Sequence, residues 1–155
     1  MGDEVAVLTK LIEEQPTLRL TISGEPLKSK HHQALKHHPH LEIVSVPAGR
    51  ALRDVFRSLD LFLFTSDETE AFGNPALEAM GSGRAVVTTA VGAIPSYSED
   101  KISALHCSPR DTQTMLRLAN DLIDQPELRQ SLSESARTSA LQHQWINQGK
   151  NSRQS

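Results

Sequence analysis

The chain has a single cysteine, Cys107, in 155 residues. An internal disulfide framework is therefore excluded, and a reducing, cytoplasmic compartment is expected. No apolar run approaches the ~20 residues that a membrane-spanning helix needs. The opening Met1-Gly2-Asp3-Glu4 has neither the basic nor the apolar region of a secretory leader. Ala6 stands where a myristoylation pattern needs Ser or Thr. Charge of one sign is also lacking: a net charge of −3 offers no broad basic surface for nucleic acid or an anionic membrane. There is no G-x-S-x-G, no G-x-x-x-x-G-K-S/T and no G-x-G-x-x-G, so hydrolase-elbow, P-loop and dinucleotide readings have no footing.

What remains is globular in composition, with 37% hydrophobic and 23% charged residues. Residues 1–146 are expected to form one domain and residues 147–155 a polar, frayed tail. Val5, Leu8, Leu11 and Ile12 recur at helical spacing from Asp3 to Glu14, and Pro16 ends that helix. Leu18–Ser23 and Leu41–Val46 read as strands, with a helix between them over Leu27–His37. Ala48–Ser58 is a predicted helix with Leu52, Val55 and Phe56 inward. Leu61–Thr65 and Ala85–Thr89 are further strands, separated by a short helix from Pro75. Residues 93–100 read as a loop or one turn of helix, and Ser103–Cys107 as a short last strand. Asp111 caps a helix to Ile123 with Met115, Leu118, Leu122 and Ile123 inward, and a final helix runs from Pro126 to about Gln144. Such alternation predicts an α/β, Rossmann-like parallel sheet with helices on both faces, joined by right-handed crossovers. Ligands then belong beyond the carboxyl ends of the strands.

Two minor candidates carry little. His31, His32, His37, His38 and His40 cluster, but no carboxylate or thiol lies among them, and adjacent helical residues point about 100° apart. No metal site is expected there. Cys107 reads as a small buried side chain and not as a nucleophile.

The informative stretch runs from Thr69 to Gly83. Asn74 suits an N-cap and Pro75 the first helical position, and Gly83 suits a left-handed cap at the far end. The N–H groups of Phe72, Gly73 and Asn74 would point out of the helix start, at the positive end of its dipole, where phosphate or sugar oxygens are welcome. Gly73 would let a ligand approach the backbone. Glu70 precedes the helix. Glu78 lies one turn inside it and shares a face with Pro75 and Ser82, away from Leu77 and Met80. The carboxylates alone decide nothing: Glu70 also fits a capping box with Asp67, and Glu78 a solvated helix position.

The flanking residues decide it. Glu70 and Glu78 with seven residues between them, Phe72-Gly73, the sequel Leu77-Glu78-Ala79-Met80-Gly81, and the run Ala85 to Pro95 resemble the E-x7-E region of the retaining glycosyltransferases of family four. The resemblance extends from about Asp3 to Trp145. It implies the C-terminal, nucleotide-sugar-binding half of a two-domain GT-B enzyme. Glu70 would then be the catalytic-site carboxylate that contacts the donor sugar near the reacting carbon. Glu78 would bind the ribose hydroxyls, the backbone of Phe72, Gly73 and Asn74 the sugar hydroxyls, and the loop at Gly92 would lie near the pyrophosphate. No metal or other cofactor is required in that family.

Departures accompany the likeness. The chain starts just after the family's first strand and the Arg and Lys that clasp the diphosphate. Gly24-Glu25-Pro26 lacks the second glycine of the family's turn, and Ser96 stands where an acid is common. Loss of a central strand would leave two halves to close up or stay separate. The acceptor-binding domain is missing, so a partner chain or domain is expected. A non-catalytic sugar-nucleotide-binding or scaffold module is the alternative to an enzyme part.

Overall fold

A computed structural model of the chain describes residues 2–18, 20–23, 39, 41–44, 50–66, 68–69 and 71–153. These form two compact units, Met1–Leu52 and Arg53–Ser155. The predicted helix over Leu27–His37, the histidine cluster, Asp67 and Glu70 lie outside the described residues.

In the first unit, helix α1 (Gly2–Glu14) buries Val7, Leu11 and Ile12. Leu8, expected inward with Leu11 and Ile12, is only partly buried, and Val7, one turn before Leu11, joins the buried face instead. It ends just before Pro16, which cannot continue a helix without clashing with the preceding turn. Strands β1 (Leu20–Ser23) and β2 (Leu41–Val44) pair in parallel, with Leu20 opposite Leu41 and Ser23 opposite Val44.

The second unit begins within α2 (Arg50–Ser58). Phe56 is buried and meets Phe62 edge to face, with ring centroids 5.1 Å apart. A parallel sheet follows, in the order β3 (Leu61–Phe64), β4 (Ala85–Thr89), β5 (Leu105–Cys107). Leu61 stands opposite Ala85, and Val87 opposite Leu105. Every residue of β4 is buried. Because successive side chains leave a strand on opposite faces, both faces of β4 are covered. That is the environment in which a parallel strand reads as continuously apolar, and Ala85-Val86-Val87 does so.

The covering helices are α3 (Asn74–Gly81), α5 (Thr112–Asp124) and α6 (Pro126–Arg153), with one turn of helix, α4 (Ile94–Tyr97), between β4 and β5. Helix α5 starts where Asp111 predicts: its carboxylate accepts the Thr114 N–H at 3.1 Å. It buries Met115, Ala119 and Leu122, while Leu118 and Ile123 remain partly exposed. The last helix passes its expected end near Gln144 and continues to Arg153. No proline follows Pro126 to stop it, and a helix once nucleated adds further turns cheaply. Leu132, Ala136 and Ala140 of α6 are buried. A different face of the same helix, with Leu141, Trp145 and Ile146, lines an open groove of about 410 Å³. No helix among the described residues is long and apolar enough to cross a membrane.

Candidate functional site

All three strands of the second unit run the same way, so the loops after Phe64, Thr89 and Cys107 emerge at one edge. They are tied to one another. The Ser66 N–H donates to the Thr89 hydroxyl at 3.0 Å, and the Ala93 N–H to the Ala71 carbonyl at 2.8 Å. On the outer side, Arg110 grips both carboxylate oxygens of Glu68, at 2.7 and 3.1 Å. The loop after β3 is thus tied to the segments that follow β4 and β5.

Helix α3 opens on this edge. It starts one residue earlier than the sequence predicts: Asn74 is its first residue, Pro75 its second, and Gly73 the cap, at φ +76°. The Gly73 carbonyl accepts from the N–H groups of Ala76 and Leu77, at 3.0 and 3.3 Å. The positive end of the helix dipole therefore sits at residues 73 and 74. The far end is a Schellman motif, as Gly83 predicts. Gly83 has φ +72°, its N–H reaches the Met80 carbonyl at 2.9 Å, and the Arg84 N–H reaches the Ala79 carbonyl at 3.1 Å.

The reason for glycine at 73 differs from the one the sequence predicts. A Cβ there would stand 2.8 Å from Ile94 Cγ1 and 2.8 Å from the Tyr97 hydroxyl. The missing side chain makes room for the protein's own α4. The Tyr97 hydroxyl lies 2.9 Å from both the Phe72 and the Gly73 carbonyl oxygens. The rings of Phe72, Tyr97 and His143 form a triangle with centroids 5.5–5.9 Å apart. Ser139 of α6 donates to the Tyr97 carbonyl at 3.1 Å. Sequence reading missed Tyr97, Ser139 and His143 as supports of this loop. The only signal was that Tyr97 is the chain's single tyrosine.

Of the predicted site residues, Phe72 is half-buried, Gly73 buried, and Asn74 exposed at the helix start. Glu78 is exposed one turn inside α3; its backbone carbonyl accepts from the Ser82 hydroxyl and N–H. Gly92 is exposed at φ +56° in the loop after β4, next to the Ala93–Ala71 tie. Glu70 falls outside the described residues. Among the described residues, no group of three or more His, Cys, Asp or Glu is placed to hold a metal ion. Near β5, burial lowers the affinity of His106 for a proton, partly offset by Asp100. Burial, with Asp111 and Asp100, pushes the Cys107 thiol up to about 11.

A parallel α/β unit whose carboxyl-edge loops gather at a helix start has the plan of a Rossmann-like, ligand-binding domain. The sequence model of the family "Glycosyl transferases group 1" matches residues 4–139. The chain belongs to that family. It is 34% identical over 97 residues to a D-inositol 3-phosphate glycosyltransferase of Saccharomonospora viridis, which is 63% of this chain and 22% of that protein. The C-terminal domain of a glycosyl transferase group 1 family protein from Francisella tularensis superposes with a TM-score of 0.79 at 22% identity, over 91% of this chain and 77% of that one. HepE of Anabaena, solved in complex with UDP-glucose, superposes with a TM-score of 0.77 at 18% identity, over 98% of this chain and 45% of that one. At such identities the structural likeness is one of fold. The chain spans 21–22% of the length of the inositol phosphate glycosyltransferases that it matches.

Proposed function

We propose that this chain is the donor-binding part of a glycosyltransferase that moves a sugar, with retention of configuration, from a nucleotide-diphospho-sugar to an acceptor. Glu78 binds the ribose hydroxyls. The backbone of Phe72, Gly73 and Asn74 holds the sugar hydroxyls, and Glu70 contacts the sugar near the reacting carbon. The loop at Gly92 receives the pyrophosphate. No metal takes part, so the start of α3 and nearby N–H groups carry the charge of the departing diphosphate. The acceptor is held by a further domain or a partner chain, and the work is done in the cytoplasm.

One observation carries this reading: an exposed Glu78, one turn inside a helix whose positive end opens among three tied carboxyl-edge loops, in a chain of this family. Arg110, a cation beside these loops, is held bidentate by Glu68. The 155-residue chain alone is expected to be a poor catalyst, since each unfilled oxyanion donor costs about 3–4 kcal/mol.

Calorimetric titration with UDP-glucose, the ligand of the Anabaena neighbour, and then with other sugar nucleotides, tests the reading. Glu78→Ala should weaken binding by about tenfold to a hundredfold, the worth of hydrogen bonds to a charged group, with the fold intact. A chain that binds no sugar nucleotide, or a Glu78→Ala chain that binds as well as its parent, refutes it.

A further inference from the structure

Tyr97 lies 24 residues beyond Gly73, and 3% of its surface is exposed. Its hydroxyl proton is shared between two carbonyl oxygens, those of Phe72 and Gly73, each at 2.9 Å. Every peptide bond here is trans. In a trans peptide the N–H points away from its own carbonyl. The unit that ends in the Gly73 carbonyl begins the Asn74 N–H. Drawing that carbonyl in toward Tyr97 therefore turns the Asn74 N–H outward, on the side away from the ring. The Phe72 carbonyl, held by the same hydroxyl, fixes the preceding peptide plane likewise. The position a Cβ would take at Gly73 lies 2.8 Å from the hydroxyl and from Ile94 Cγ1, so this side of the residue faces both. Tyr97 is itself anchored by Ser139 on its carbonyl and by Phe72 and His143 on its ring.

We infer that Tyr97 is the positioning residue of the sugar-facing backbone: its hydroxyl sets the direction of the Asn74 N–H and so the fit of the donor sugar. This rests on the donor-site reading above. It goes further in separating the two halves of the ligand. The nucleotide is held by Glu78, on a helix whose later turns do not depend on Tyr97. The sugar is held by a peptide that does.

Tyr97→Phe keeps the ring and its contacts. It also leaves the Gly73 carbonyl its helical donors, the Ala76 and Leu77 N–H groups. Wild type and Tyr97→Phe are titrated with UDP-glucose and with UDP, beside thermal melts of both. Expected is a three- to tenfold loss of UDP-glucose affinity, roughly the worth of one hydrogen bond, with UDP affinity unchanged. In the amide spectrum of the wild type, the Asn74 resonance should move on adding UDP-glucose and stay in place with UDP; this arm needs no variant to fold. Equal UDP-glucose affinity in the variant, an equal loss for both ligands, or an Asn74 amide indifferent to the sugar overturns the inference while leaving the donor site standing. A wild-type chain that binds neither ligand overturns the donor reading, and this inference with it.

Discussion

Replacing Gly73 with alanine should destabilise the second unit by about 2–4 kcal/mol, from three terms of known sign. A non-glycine residue at φ +76° costs about 1–2 kcal/mol. The new methyl would meet Ile94 Cγ1 and the Tyr97 hydroxyl at 2.8 Å. Ile94 is completely buried and Tyr97 nearly so, so neither gives way without repacking, which typically costs about 1–3 kcal/mol. Loss of glycine's freedom in the unfolded chain offsets roughly 0.4–1 kcal/mol. Gly83→Ala is the control. It has the same left-handed backbone, φ +72°, and nothing within 4 Å of the added methyl, so only the backbone cost remains, about 1 kcal/mol. For a chain of this length each kcal/mol moves the melting temperature by about 2–4 °C. Gly73→Ala should therefore melt roughly 5–12 °C below the parent and Gly83→Ala no more than about 4 °C below it, followed by circular dichroism at 222 nm. Equal shifts for the two variants would refute the packing argument, because they would leave only the backbone cost in both.

Two further outcomes follow from the groups near β5. Burial lowers the His106 pKa below 6.5 against a smaller opposing effect of Asp100. The unfolded chain then takes up the proton first, so stability present above about pH 6.5 is lost as pH falls through the lowered native value. His106→Asn should flatten the dependence of melting temperature on pH between about 7 and 5; an unchanged slope would contradict it. With its thiol pushed up to about 11, Cys107 should react with iodoacetamide at pH 8 about two hundredfold more slowly in the native chain than in the unfolded one. Rapid alkylation of the native protein would show that the thiolate is accessible.

Much of the candidate site was legible because its signals are local. Pro75 and Gly83 mark the two ends of α3 by backbone chemistry alone, and Asp111 marks the start of α5. The alternation of strands with helices predicts parallel pairing, and parallel pairing puts the loop after Leu61–Phe64 at the carboxyl edge of the sheet. Other features were not legible. The helix start moved to Asn74 because Tyr97 and the first helical N–H groups all converge on Gly73. The end of α6 was misplaced because residues 147–153 carry no apolar periodicity; no proline interrupts them, and Gly149 costs a helix only about 1 kcal/mol.

Spacing, caps and strand order within short stretches were enough to read the family, the parallel α/β plan and the bounds of α3 to within a residue. The close approach of Tyr97 and Ile94 to Gly73 is written only in the folded chain. A hydroxyl 24 residues away reaches those carbonyls only once β4 and α4 have folded back against the start of α3, and no local pattern encodes a contact made through space.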